Sequence, residues 1–387
     1  MDAMLSSILL IIAQATAPPP AAPAEEVVVV GHRATDALAA CLARQCPPAE
    51  DVEASLQASV EQFTAGRYDL AQRTLQRSIR RNRRHAAQLP GPVSSLYATL
   101  ATVAEHDGYR SRWQFAARDN VGLLRRHVGV SDPGTLIEEM SLANTMLGTG
   151  DPSTAWGILK KVEIRALAAG HKDIAAGAAF RQAWLALREG NYRRAGKLAD
   201  HAVDIAGSRK SQIATLRDVL NSRIALRKGD AGAIDALAAR IRQTEAQRPI
   251  LLFSESAEDI ISGGGIIPAG LTAPGVRFAD VGYWIRPDGR TASAEILNAS
   301  NLGQWEKTVL KQVGTRRYAS LAVPAGHPGI YRVDRFTIRA TFDFYAGARY
   351  AQRMGPPTIH IVDLTDTEAM TAAQKRRVAE ATAPGGI

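Results

Sequence analysis

The stretch Arg188–Ala199, REGNYRRAGKLA, places a glycine in a polar turn and begins a helix-forming run directly after it. A second stretch, Ala65–Leu75 (AGRYDLAQRTL), repeats this arrangement. In both stretches a tyrosine follows the glycine by two positions and an alanine follows it by five. A small residue in the turn lets two consecutive helices approach each other. The two stretches therefore predict helical hairpins with glycine at the elbow.

Three further glycines, Gly108, Gly150 and Gly229, continue the pattern. The spacings between the five successive glycines are 42, 42, 40 and 39 residues. The surrounding sequence is alanine-rich, with apolar residues at helical spacing and few strand-like runs. A hairpin has a face that it cannot bury alone, so a neighbour of the same length must cover that face. The spacing predicts an α-solenoid of stacked hairpins over residues 50–248.

The glycine, tyrosine and alanine pattern resembles the tetratricopeptide family. In that family glycine and tyrosine end the first helix of each repeat, and small residues open the second. The period here exceeds the family's usual length of about 34 residues, and the units at Gly108 and Gly229 match the motif weakly. The family's concave surface binds peptides or partner proteins, so the resemblance implies a scaffold and names no ligand.

Residues 249–275 contain three consecutive glycines and several prolines, which predict a linker. After it, residues 276–350 predict strands around one helix. Apolar residues alternate on both sides of Asp288-Gly289, which indicates a hairpin. Trp305, Val309 and Val313 recur every four residues, so a helix can cover one face of the sheet.

A final strand is predicted where Phe336 and Ile338 alternate with Arg335, Thr337 and Arg339. This alternation indicates one buried face and one face in water. The strand, strand, helix, strand order resembles the C-terminal domain of TonB. The segments that carry the resemblance are Asp288-Gly289, Ala299-Ser300 and Arg316-Arg317-Tyr318.

In TonB the last strand offers an open edge to the TonB box of a receptor. The resemblance implies that the strand from about Tyr331 to Phe344 is such an edge here, where main-chain hydrogen bonds would supply much of the affinity. The predicted partner-binding residues on and around this edge are Tyr331, Val333, Arg335, Thr337, Arg339, Trp284, Arg316 and Arg317.

The N-terminus, residues 1–17, has an apolar run followed by small residues, which is typical of a signal peptide. This run is about half the roughly 20 residues that span a bilayer. It predicts export to the periplasm, although the first residues carry Asp2 and no basic side chain. The alternative is an uncleaved inner-membrane anchor that faces the periplasm.

Residues 18–49 predict a proline- and alanine-rich linker that includes Val27–Val30 and two cysteines. The valine run is either a short edge strand or a segment that resembles the TonB box of outer-membrane receptors.

Cys41 and Cys46 favour a disulfide, with free thiols and metal binding as alternatives. On a continuous helix they would lie about 8 Å apart, beyond the reach of a bridge, so a disulfide requires the helix to end near Gln45. Leu38–Cys41 matches a lipoprotein acylation box but lacks a preceding apolar run.

The sequence carries no nucleophile-elbow, zinc-protease, phosphate-loop or dinucleotide motif. Its eight histidines stand apart, without metal-ligand spacing. We therefore predict no catalytic residue, no metal site and no cofactor. The formal charge of +9 favours anionic partners, but the basic residues are spread along the chain without a nucleic-acid motif.

These patterns predict an α+β, multidomain chain: an α-solenoid, then a small antiparallel sheet with one packed helix, then a tail over residues 351–387. The predicted function is that of a non-enzymatic periplasmic adaptor for a protein or extended peptide, for example an outer-membrane TonB-dependent receptor. Nucleic acid and small-molecule substrates are not expected, whereas peripheral membrane contact is compatible with the charge. The alternatives are an energy-transducer component of TonB-dependent transport and an unrecognised hydrolase.

Overall fold

A computed structural model describes residues 33–243, 249–255, 276–300, 302, 305–339, 342–343, 352–353 and 358–365. All of them belong to one compact unit, Arg33–Ile387. The predicted signal peptide, the valine run, most of the predicted 249–275 linker and the end of the tail lie outside the described residues.

Eleven α-helices precede the sheet in the described part of the chain. They are α1 (Ala34–Ala43), α2 (Pro48–Thr64), α3 (Tyr68–Asn82), α4 (Pro90–Asp107), α5 (Arg110–His127), α6 (Pro133–Gly148), α7 (Pro152–Ala168), α8 (Lys172–Arg188), α9 (Tyr192–Ile205), α10 (Lys210–Arg227) and α11 (Ala233–Arg240). Helix α1 lies within the segment that was predicted as linker. None of the helices described has both the length and the apolar character needed to traverse a bilayer.

The predicted hairpins are confirmed, and each of the five glycines lies at an elbow. Their φ angles run from 74° at Gly66 to 103° at Gly229. This left-handed conformation costs glycine little, and it ends one helix so that the chain can reverse. The hairpins are α2/α3, α4/α5, α6/α7, α8/α9 and α10/α11, and neighbouring helices pack on each other throughout. The weakly matching units at Gly108 and Gly229 form hairpins like the others.

A four-stranded antiparallel sheet follows, in which β10 (Thr358–Asp363) pairs with β7 (Ile330–Arg339), β7 with β3 (Arg277–Ile285), and β3 with β4 (Thr291–Ala299). The strands and helix of this region are β1 (Arg242–Gln243), β2 (Leu251–Phe253), β3 (Arg277–Ile285), β4 (Thr291–Ala299), α12 (Trp305–Gly314), β5 (Arg317–Tyr318), β6 (Ser320–Leu321), β7 (Ile330–Arg339), β8 (Phe342–Asp343), β9 (Gln352–Arg353) and β10 (Thr358–Asp363). The predicted β3/β4 hairpin and the predicted helix are both present.

Helix α12 covers one face of the sheet through the predicted apolar stripe. Trp305, Val309 and Val313 are buried in one core with Val281 and Phe336 of the sheet. An apolar stripe that recurs every turn therefore packs on the alternating apolar residues of β3 and β7.

Two predicted boundaries need correction. The segment predicted as linker begins with an ordered strand: β2 pairs with β5, and Leu252 is fully buried. The segment predicted as tail contains β9 and β10, and β10 pairs along its whole length with β7. The sheet thus extends past residue 350 to Asp363.

The second face of the sheet packs on the helices. Tyr331, Val333 and Phe278 share one core with Phe63 and Tyr68 of the first hairpin. The prediction that this face lies in water is wrong. Alternation of polar and apolar residues usually indicates a half-exposed strand, but here the polar side chains have partners inside the protein.

Candidate functional site

Strand β7, which was predicted as an open edge, lies inside the sheet. Arg335 is opposite Asp280 of β3 on one side and opposite Val362 of β10 on the other. The prediction of a free edge from Tyr331 to Phe344 is therefore wrong. The reason is that β10, which lies beyond the predicted end of the module, pairs with the side of β7 that β3 leaves open.

Arg335 is completely buried and joins the sheet to the first hairpin. Its guanidinium donates to both carboxylate oxygens of Asp280 at 2.6 and 2.8 Å. It also donates to the carbonyl oxygens of Phe63 and Thr64, at 2.5 and 2.6 Å, where α2 ends. The C-terminal end of a helix carries partial negative charge and unpaired carbonyls, which suit a cation. The centroid of the Phe278 ring lies 4.2 Å from the guanidinium carbon.

These partners offset the cost of burying the charge. Burial alone would lower the pKa of Arg335, but its hydrogen bonds to Asp280 hold that pKa above the ordinary value. Because its side chain is completely buried, Arg335 has a structural role.

Arg316 and Arg317 also bind acidic side chains of the same chain. Arg316 is buried, and it contacts Asp334 at 2.5 Å and the hydroxyl of Tyr283 at 2.8 Å. Burial raises the pKa of Tyr283, so this hydroxyl stays protonated and donates to Asp334. Arg317 forms an ion pair with Asp235 of α11 at 2.7 Å.

The remaining predicted partner-binding residues lie at the same interface between sheet and helices. Tyr331, Val333, Thr337 and Arg339 are buried. Burial lowers the pKa of Arg339 to about 10. Trp284 is half-buried, with its ring centroid 5.2 Å from that of Tyr331. None of these residues is on the exposed edge of the sheet.

Two histidines meet where α4, β7 and β10 come together. Nδ1 of His106 lies 2.7 Å from the hydroxyl of Thr337, and Nδ1 of His360 lies 2.8 Å from a carboxylate oxygen of Glu105. The two ring centroids are 6.0 Å apart, and the Trp113 ring packs edge-on against His360 at 5.9 Å. Sequence spacing could not reveal this cluster, because its members lie on elements far apart in the chain.

The edge of the sheet is β10 itself, which pairs only with β7 among the described residues. The N–H of Leu364 donates to the carbonyl of Val333 directly opposite. Hydrogen-bonded and non-hydrogen-bonded pairs alternate in an antiparallel ladder. It follows that Ile359 and Ile361 turn their backbone N–H and C=O groups away from β7. Ile361 is 42% exposed.

The opposite edge, β4, is less regular. Its register with β3 shifts at two places, and Ser293 has a φ of 50°. Bulges of this kind twist a strand and hinder pairing with another chain. In contrast, β10 keeps an unbroken register over six residues. Of the two edges in the described sheet, β10 is the better template for an added strand.

A groove of about 570 Å³ lies between α4, α5 and α6. Its lining includes the apolar side chains of Trp113, Ala117 and Leu142 and the carboxylates of Glu105 and Glu138. Glu105 belongs to both features, because it lines the groove and bonds to His360 of β10. Glu105 therefore links the groove to β10.

The two cysteines lie far from this groove in sequence, near the start of α2. The structure joins Cys41 and Cys46 in a disulfide, with Cα atoms 5.1 Å apart. Helix α1 ends at Ala43, and Gln45 takes a left-handed φ of 52°. The helix thus ends before Cys46, so the two cysteine Cα atoms can come close enough for a disulfide.

In the part of the chain that the structure describes, no group of three or more His, Cys, Asp or Glu side chains could hold a metal ion. No protein-family model matches this sequence, and a comparison with curated proteins finds no significant match.

Proposed function

We propose that this protein is a non-enzymatic adaptor that captures an extended segment of another protein along β10. The observation that carries the proposal is the position of Glu105, which lines a groove of about 570 Å³ and also bonds to His360 of the edge strand β10. A segment that pairs with β10 could continue into the groove between α4 and α6.

Strand addition supplies affinity through the backbone. The outward N–H and C=O groups of Ile359 and Ile361 can form the same ladder with a partner that the inward groups of β10 form with β7. The exposed side chain of Ile361 adds apolar contact. An exposed apolar edge strand readily pairs with another chain, so a binding role accounts for this edge.

The two parts of the chain suit this role for different reasons. The hairpins resemble tetratricopeptide repeats, a family that binds peptides on the surface of the array. The sheet resembles the C-terminal domain of TonB, which binds a strand at its edge. In TonB the last strand has an unpaired edge, whereas in this chain β10 pairs with the corresponding strand, β7. We therefore place the binding edge on β10.

We further propose that the protein works in the periplasm. The Cys41–Cys46 disulfide supports this location, because structural disulfides are typical of oxidising compartments. The signal-like sequence of residues 1–17 supports it independently.

The test compares Ile361→Pro with Ile361→Ala. Proline removes the outward N–H of residue 361 and leaves the bonds to β7 in place, whereas alanine keeps the N–H and removes only the larger side chain. Short random peptides displayed on phage are selected on the wild-type protein, and binding of the selected peptides is measured by fluorescence anisotropy. We expect binding to weaken at least about tenfold in Ile361→Pro and much less in Ile361→Ala.

Failure to select any peptide, or equal binding by the proline and wild-type proteins, would overturn the proposal. Circular dichroism melting of all three proteins shows whether the fold is retained.

A further inference from the structure

The groove between α4, α5 and α6 differs in charge from the chain as a whole. The sequence has 47 lysines and arginines and a formal charge of +9. None of the residues that line the groove is basic, and its charged members are Glu105 and Glu138. Carboxylates in a recess with apolar walls concentrate negative potential, which attracts cations.

Glu138 is held in place by a relay across three helices. The amide nitrogen of Asn120, a buried residue of α5, donates to Oε2 of Glu138 on α6 at 2.6 Å. The amide oxygen of Asn120 accepts a hydrogen bond from the hydroxyl of Ser94 on α4. Within the described residues, Oε1 of Glu138 makes no hydrogen bond. The relay therefore fixes the carboxylate and leaves one of its oxygens for a ligand.

The rest of the groove suits the stem of a long basic side chain. Its apolar surface comes from Trp113, Ala117 and Leu142, with small side chains at Ala98 and Ala101. Lysine and arginine pack their methylene groups along apolar surface and keep the charged end near polar partners. An aromatic ring nearby is favourable to a cation.

We propose that this groove binds a lysine or arginine side chain of the extended segment captured at β10, with Glu138 as the principal partner of its charge. The proposal rests on the proposed function and specifies the chemistry of the partner. Glu105 is not the principal partner of this charge, because its carboxylate already bonds to His360 and so links the groove to β10.

The experiment selects displayed random peptides on the wild-type protein, on Glu138→Gln and on Glu306→Gln. Glu306 is an exposed acid on α12 outside the groove, so its variant controls for the change in net charge. We expect peptides selected on the wild type and on Glu306→Gln to share a position enriched in lysine or arginine. This enrichment should be absent from peptides selected on Glu138→Gln.

One selected peptide and a copy with its basic residue replaced by norleucine then complete a double-mutant cycle with Glu138→Gln. Each single change should weaken binding roughly tenfold, and the two together should weaken it little more than one alone.

The outcomes separate the two proposals. If peptides bind and respond to Ile361→Pro but show no basic position, or bind Glu138→Gln as well as wild type, the groove proposal is wrong and the adaptor proposal stands. If the wild-type protein selects no peptide, the adaptor proposal fails and the groove proposal fails with it.

Discussion

Arg335 and Asp280 form a fully buried ion pair across neighbouring strands, with Nε and Oδ1 2.6 Å apart. The same guanidinium binds the last carbonyls of α2. One side chain thus connects β3, β7 and the first helical hairpin. The adaptor proposal depends on this connection between sheet and helices, because the groove lies on the helices and the β10 edge lies on the sheet.

Replacing Arg335 with methionine should be strongly destabilising. It leaves the Asp280 carboxylate and two helix carbonyls buried without their partner, which typically costs about 3–5 kcal/mol. Arg73→Met removes an exposed arginine that pairs weakly with Asp69, and we expect a loss under about 0.5 kcal/mol. Urea unfolding followed by circular dichroism measures both. A loss below about 1 kcal/mol for Arg335→Met would show that the pair does not hold the sheet on the helices.

Replacing glycine with alanine should destabilise the protein more at Gly66 than at Gly190, although the two glycines have nearly equal φ angles. Gly66 and Gly190 have φ angles of 74° and 75°, so alanine strains both by about 1–2 kcal/mol. At Gly66 a Cβ atom would also lie 2.6 Å from the ring of Phe278, whereas nothing lies within 4 Å at Gly190. Overpacking adds about 1–3 kcal/mol. We expect Gly66→Ala to lose clearly more unfolding free energy than Gly190→Ala, and equal losses would contradict the close contact between elbow and sheet.

Stability should fall as the pH drops below about 6.5, the ordinary histidine pKa. Burial lowers the pKa of His106 well below that value and also lowers the pKa of His360. Above pH 6.5 both rings are neutral in the folded and unfolded chain, so they add no pH dependence. Below it the unfolded chain binds protons that the folded chain does not, until the pH reaches the lowered pKa. The slope is about 1.4 kcal/mol per pH unit for each histidine.

The measurement is urea unfolding of wild type, His106→Asn and His127→Asn between pH 8 and pH 5, a range that spans the ordinary histidine pKa. Asparagine at position 106 can still bond to Thr337 but does not titrate, so this variant should show a shallower decline. His127 is exposed at the end of α5, so its replacement controls for the loss of one histidine. Parallel declines in all three proteins would rule out His106 as a source of the pH dependence.

Reduction of the Cys41–Cys46 disulfide should have a modest effect. The bridge closes a very short loop, for which chain entropy predicts a stabilisation of about 2 kcal/mol. We expect Cys41→Ser/Cys46→Ser to lose about that much, mainly through loosening of α1. Thiol titration of the purified protein in denaturant should find no free thiol before reduction and two after it. Free thiols before reduction would contradict the pairing.

Local patterns were sufficient for most of the secondary structure. The glycine elbows, the apolar stripe of α12 and the Asp288-Gly289 turn each depend on residues close together in the sequence. They were predicted correctly because periodicity and turn chemistry are local properties. The boundaries were less accurate where a short strand such as β2 gains its pairing from a distant partner.

The binding edge was placed on the wrong strand for a specific reason. Alternating arginine and threonine along β7 indicated a face in water, since charged side chains are seldom buried. Whether a charge can be buried depends on which groups surround it. For Arg335 these are Asp280 and the end of α2, which lie 55 and more than 270 positions away in the chain.

The sequence by itself determined the hairpin array, the elbows and the order of strand, strand, helix and strand, since each arises from interactions between near neighbours. Only the tertiary structure decided that β10 closes β7, that the polar face of the sheet packs on the first hairpins, and that Glu105 connects the groove to the edge. These features arise from contacts between residues far apart in the sequence. A local sequence pattern does not show which distant residues will be in contact.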